Sequence, residues 1–383
     1  MKSQRYVWPF AFYFTASAAA AVYSPYIVLY YQSLSLTGAQ IGLLVGVAPL
    51  ITIVSLPFLA QLADRTKQHR LIISLFLLIL VGGLILFPFL RTFALLFLFS
   101  ILLRVLLSPV FPFANSAAMV MLGDKKELFG RVRLGGTLGF SITAVIAGTL
   151  VESYGFKLAF WGAAAIYLVT FFINQKLVYS EASQVASPEK APIRELLTSP
   201  HYLVLLLIGF AGGISFSSNN TYLFPYLKDL GAEASLMGFA LTIGTLAEVP
   251  VLFFAGRFIR RFKAYGVLLF AMLMIALRFL LFAVAATPTV ALFIQLLHGL
   301  THPLLAVAGV NYADEQAPTG FKATAQGLFN TALGGIGAAF GGFAGGLLLD
   351  AFGTKGMYLA FGLFVLLVLL IVIVVKRFLL SNI

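Results

Sequence analysis

Five ionisable residues lie inside apolar stretches of this 383-residue chain: Arg104, Glu248, Arg278, His298 and His302. Arg133 stands at the mouth of a further stretch. A charged side chain at mid-bilayer costs from about 2.5 to over 10 kcal/mol, and such residues commonly mark ion or substrate pathways. Glu248 is the only carboxylate well inside a stretch, so it is the group that could gain and lose a proton as its partner moves. Arginine keeps its proton and can only gate one, whereas histidine titrates near physiological pH. Glu248, Arg278, His298 and His302 are therefore the proton-coupling candidates. The same residues could instead form a static buried network that locks helices together. His298 and His302 are four apart and share a helix face. That spacing could serve a metal, but no third ligand is evident, and no metal or cofactor is expected.

A second polar group belongs to solute binding. Residues 212–222 read Gly-Gly-Ile-Ser-Phe-Ser-Ser-Asn-Asn-Thr-Tyr, a poor surface for lipid. Asn219 and Asn220 from this stretch, Gln326 and Asn330 from a later one, and Tyr26 from the first are candidate binding residues. Aromatic rings with a few amides suit a small, partly apolar solute. The structural alternative is hydrogen bonding between helices, worth about 0.6–2 kcal/mol per contact.

The elements that must position these residues are membrane spans. Hydrophobic residues make up 61% of the chain and charged ones 10%, against about 45–50% and 25% in soluble domains. Too few charges remain to coat a soluble particle. A spanning helix needs about 20 mostly apolar residues, and twelve stretches qualify: 6–31, 39–61, 71–90, 93–121, 132–152, 157–177, 202–227, 234–256, 264–286, 289–312, 322–349 and 356–375. With the N-terminus inside, 19 Lys and Arg fall in inner loops and tails and 4 in outer loops, which places both termini in the cytoplasm. The net charge of +12 is thus topological. The lipid bilayer is the large partner, and nucleic acid is not needed to explain the charge. The absence of Cys excludes disulfides and thiolate chemistry. No phosphate-binding P-loop and no hydrolase motif occurs, so an enzyme is not expected. The longest polar stretch, 179–200, reads as a linker between bundles 1–178 and 201–383, and 193–197 as a short amphipathic helix within it.

The halves repeat each other. Leu56-Pro57 is echoed by Val249-Pro250, Arg104 with Ser108-Pro109 by His298 with His302-Pro303, Pro25-Tyr26 by Pro225-Tyr226, and Glu152 with Gly155 by Asp350 with Gly353. Two like-oriented six-span repeats are an architecture of transporters with a midplane cavity. On these grounds, and on Leu62-Ala63-Asp64-Arg65 in the second loop, the chain resembles the major facilitator superfamily. Phe129 to Phe140, Ala247-Glu248-Val249-Pro250, Ala276-Leu277-Arg278-Phe279 and Gln295 to Thr301 resemble its phenylpropionate permease and lactose permease branch.

The resemblance implies an all-α fold of twelve helices in two pseudo-symmetric halves, and proton-coupled symport of a small organic solute: an aromatic acid, a nucleoside or a sugar-like molecule. Arg278 and His298 reproduce the twenty-residue spacing of an Arg–His pair in the lactose permease, and Glu248 looks like its helix 8 acid. Two of that permease's acids are replaced, by Thr301 and by Asn115. Arg133, Thr137 and Phe140 stand where its sugar-binding face lies. This adds Asn115 and Arg133 to the binding candidates. Asp64, Arg65 and Arg257 at the loops, with Arg104 within a span, become the gating candidates. A proton-driven exporter of the same fold, and a membrane sensor that moves nothing, stay open as alternatives. A monomer in a bacterial inner membrane is expected.

Overall fold

The computed structural model describes residues 4–125, 128–179, 193–318 and 321–381. Most of the 179–200 linker therefore lies outside the described residues. Its end is the short helix Ile193–Thr198.

The described chain is helical, without strands. Helix α1 runs Gln4–Tyr23, tightens to a 3-10 turn at Ser24–Tyr26 and resumes over Ile27–Ser33. Helices α2 (Gly38–Thr66) and α3 (His69–Leu86) follow. Helix α4 comes in two pieces, Phe93–Leu107 and Val110–Leu122, interrupted at Ser108-Pro109. Next come α5 (Phe129–Tyr154), α6 (Phe156–Asn174) and α7 (Pro200–Asp229). Ten described helices are long and apolar enough to cross a membrane. Two of them, of 51 and 55 residues, would reach about 77–83 Å at 1.5 Å per residue, far beyond a hydrocarbon core of about 30 Å. Each is broken by one residue of non-helical backbone, Lys263 in Ala234–Val284 and Gly353 in Ala338–Ser381. They divide into α8 (234–262) with α9 (264–284), and α11 (322–352) with α12 (354–381). Between these pairs, α10 is Pro288–Gln295, a 3-10 segment Leu296–Leu300, and His302–Gln316. This makes twelve spans.

Two compact units are present. The first holds Met1–Leu36, Ile51–Ala186 and Glu233–Thr242, and the second Thr37–Leu50, Ser187–Ala232 and Ile243–Ile383. In the first, α1 is the buried post. Its alanines and the glycines of α5 let backbones approach, so that a side chain at Gly139 would collide with the Phe14 carbonyl. In the second, α7 has the same part. Gly337 and Gly341 of α11 abut the α7 backbone at Phe210 and Ile214, and Tyr222 donates to the Gly342 carbonyl at 2.5 Å. The Gly342/Gly346 pair faces the start of α2, at Gly46, Gly42 and Gly38. Small residues at such spacing permit close helix packing where water supplies no driving force.

Each unit is fastened at the same repeat position by a carboxylate. In the second unit Asp350 accepts the Gly38 N–H at 2.6 Å and the Ala39 N–H at 2.8 Å. In the first, Glu152 accepts the Ser235 N–H at 3.1 Å. The first N–H groups of a helix have no partner inside it, and a negative charge there is favourable. Asp350 caps α2 and Glu152 caps α8 for this reason.

Candidate functional site

The buried charge of the second unit is built where α8, α9 and α10 meet. Helix α10 tightens into a 3-10 segment over Leu296–Leu300, because Pro303 after His302 cannot continue the regular ladder. Gly299 on that segment lies against α8 so closely that a side chain there would run into the Ala247 carbonyl. The neighbours of these two residues are thereby brought together. His298 Nε2 lies 2.8 Å from Glu248 Oε1, and His298 Nδ1 lies 2.9 Å from Arg278 Nη1. Arg278 Nη2 donates to the Gln295 side-chain oxygen.

The direction of these bonds follows from the groups. Guanidinium has only donors, so His298 Nδ1 must accept. The proton of the neutral ring then sits on Nε2 and is donated to Glu248. Arg278 is 2% exposed, and its guanidinium carbon lies 5.3 Å from the Phe282 ring centre, a cation–π distance. Glu248 is half-exposed. The arrangement is a line from an accessible carboxylate, through one imidazole, to a buried cation. Glu248 and Arg278 are coupled through His298, not in direct contact. Sequence spacing named three of the four members and missed Gln295, whose signal was its place one helical turn before His298.

Beside this line lies a small cavity bounded by Ser215, Phe216, Asn219, Ile275, Arg278, Phe279, His298, Thr301 and His302. Its volume is about 10 Å³, room for about one water-sized group. Asn219 Oδ1, Arg278 Nε and His302 Nδ1 are buried atoms without a hydrogen-bond partner, and all three residues line this space. The set offers at least one donor and one acceptor, which a hydroxyl or an amide edge would satisfy. His302 stacks on Phe216, ring centres 3.8 Å apart. Asn220, one step round α7, is exposed. The hydroxyls of Ser215 and Ser218 donate back to the Ala211 and Ile214 carbonyls of their own helix, so the polar run on α7 is in part satisfied locally. Gln326 lies elsewhere, donating to Asp314 at 3.3 Å, and Asn330 is exposed.

The first unit holds a looser set. Tyr13 donates to Asn115, and Arg133 on α5 is exposed. Tyr13 was not singled out in the sequence, hidden in an aromatic run. Tyr26 is buried. Arg104 donates from Nε to Thr52 Oγ1 at 2.7 Å, joining α4 to α2. Asp64 pairs with His69 at 3.0 Å, Arg65 is exposed, and Arg257 lies over Phe254 of its own helix at 5.1 Å.

The family model described as MFS_1 like family matches residues 6–360. The chain belongs to this family. It is a transporter and an integral multi-pass membrane protein. It is 26% identical to the maltose permease of Geobacillus stearothermophilus over 370 residues, covering 96% of this chain and 93% of that one. It is 23% identical to the xanthosine permease of Escherichia coli, covering 85% and 83%. In fold, this MFS_1-like chain is similar to a crystal structure of a mutant nucleoside transporter NupG, with a TM-score of 0.88 at 16% identity, over 97% of this chain and 99% of that one.

Proposed function

We propose that this transporter is a proton-coupled symporter of a small hydroxylated solute, sugar-like or nucleoside-like, working by alternating access. The reading takes bundles 1–178 and 201–383 as the moving halves and 179–200 as their link. It places both termini in the cytoplasm of a bacterial inner membrane and takes the protein as a monomer. The observation that carries it is the hydrogen-bonded line Glu248–His298–Arg278–Gln295. Its accessible end can take a proton, and its buried end is a fixed cation. The adjoining cavity, with Asn219 and His302, supplies the donor and acceptor that one solute hydroxyl or amide needs. Relatives named for maltose and xanthosine support the solute class.

In this mechanism ionised Glu248 holds His298, and through it Arg278, in one arrangement. Attraction between two charges across one imidazole is worth about 2 kcal/mol at an effective dielectric near 20. Losing it by protonation changes a two-state ratio about thirtyfold. That is enough to let the α8–α10 contact rearrange and open the cavity to a solute. Asn220, Gln326, Asn330, Tyr26, Asn115 and Arg133 are assigned to the path the solute follows, and Asp64, Arg65, Arg104 and Arg257 to gating. The test is uptake of labelled maltose and xanthosine into proteoliposomes with an imposed pH gradient, acid outside. Accumulation that collapses with the gradient supports the reading. Accumulation unaffected by a protonophore removes proton coupling, and movement only against the proton flow makes the protein an exporter.

A further inference from the structure

One cavity of the first unit has no part in this mechanism. It measures about 780 Å³ and is lined by Lys67, Gln68 and Arg70 at the start of α3 and by Leu71, Leu75, Leu78 and Phe171 along its wall, with Ser74, Gln175, Val178 and Tyr179. The two parts differ in chemistry. Lys67 and Arg70 bring two positive charges, and among the described residues no carboxylate lines the cavity and neither cation is in a salt bridge. The one acid close by in sequence, Asp64, is turned to His69. Arg70 is held in place: its Nη2 donates to the Leu177 carbonyl at 2.7 Å, which leaves further N–H groups of the guanidinium for another acceptor. Ser74 is braced from two sides, by Asn174 at 3.0 Å and Gln175 at 2.8 Å.

The wall is a stripe on α3. Leu71, Leu75 and Leu78 are 59%, 52% and 43% exposed and recur at helical spacing on one face. The stripe rises about 10 Å, within one leaflet of a hydrocarbon core about 30 Å thick. A cationic end continuous with an apolar groove of this length matches a head and a tail on one molecule. We propose that this pocket seats an anionic phospholipid, its phosphodiester on Lys67 and Arg70 and one acyl chain along Leu71, Leu75 and Leu78. Basic pockets between spanning helices on the cytoplasmic side suit such headgroups. The leaflet is the inner one under the orientation proposed above, and the site does not depend on which solute is carried.

The test is native mass spectrometry of the full-length protein in micelles, titrated with dioleoyl phosphatidylglycerol or dioleoyl phosphatidylcholine. The wild type should retain phosphatidylglycerol preferentially. Each cation near a membrane surface contributes about 1 kcal/mol, so Lys67→Gln should weaken that retention about fivefold, and Lys67→Gln with Arg70→Gln about 25-fold. Leu75→Trp, which fills the groove without altering charge, should weaken both lipids. Lys355→Gln, an equal loss of charge in another loop, should change neither. Retention within twofold of wild type in Lys67→Gln overturns the proposal, and this variant keeps the Arg70 brace. So does displacement of the lipid by glycerol phosphate at equal concentration, which would mark a site for soluble anions. No transport is measured, so this result is independent of the symport reading.

Discussion

At Glu248 the accepted proton comes from His298, and at His298 the second nitrogen is occupied by a group that never releases a proton. The charge-changing step is thereby confined to Glu248. Glu248→Gln keeps the shape and fixes the neutral state. It should abolish accumulation driven by a pH gradient while exchange of labelled for unlabelled solute continues, both read in proteoliposomes. Arg278→Lys tests the other end. A lysine is a point charge on a flexible stem and cannot fork to His298 and Gln295 together. Uphill uptake should be lost, and thermal unfolding in detergent should show a loss of about 1–3 kcal/mol. The three ionisable residues of this line were legible in the sequence because such groups are expensive in lipid. Their order was not. That His298 stands between the two charges depends on the Gly299–Ala247 contact, which no residue type announces.

Among the elements, successive helices are joined by single residues of left-handed backbone, placed by the repeat. Lys67 (φ 55°) ends α2, and Lys263 (φ 60°) ends α8. Gly155 (φ 78°) lies between α5 and α6, and Gly353 (φ 67°) between α11 and α12. Glycine takes such conformations freely, but for lysine they cost about 1–3 kcal/mol. Lys263→Gly should therefore raise stability by about that amount, and Gly353→Ala should lower it, measured as shifts of the unfolding midpoint. Gly299→Ala should cost about 1–3 kcal/mol by overpacking, and should also halt uphill transport by moving His298 off Glu248. The prolines and acids of the repeat could be read directly from the chain. The lysine joints could not, since lysine carries no preference for this conformation. The breaks in α4 and α10 were visible only as Ser-Pro and His-Pro pairs, and the π turn Thr331–Gly337 in α11 had no sequence sign beyond its glycines.

For the molecule as a whole, hydropathy alone resolves twelve spans, because the requirement that lipid sets on length and composition is strict. The division into compact units is less legible: it follows packing of a few turns at the starts of α2 and α8, where glycines and two acids decide the partner. A further prediction belongs here. Asp350→Asn removes the charge that caps α2, so the loss should be about 0.5–2 kcal/mol of thermal stability, with a smaller loss for Glu152→Gln, which holds one N–H. The Asp350 cap also bears on how the chain is made. Gly38 and Asp350 are 312 residues apart, and a ribosome adds about 5–20 residues per second. The glycine face of α2 therefore enters the bilayer about 15–60 s before the helix that covers it has been synthesised. Through that interval its close-packing surface is open to lipid or to an insertion chaperone. Slowed translation of the second half should lengthen the exposure, and misassembly during biogenesis should begin at the Gly38 end of α2.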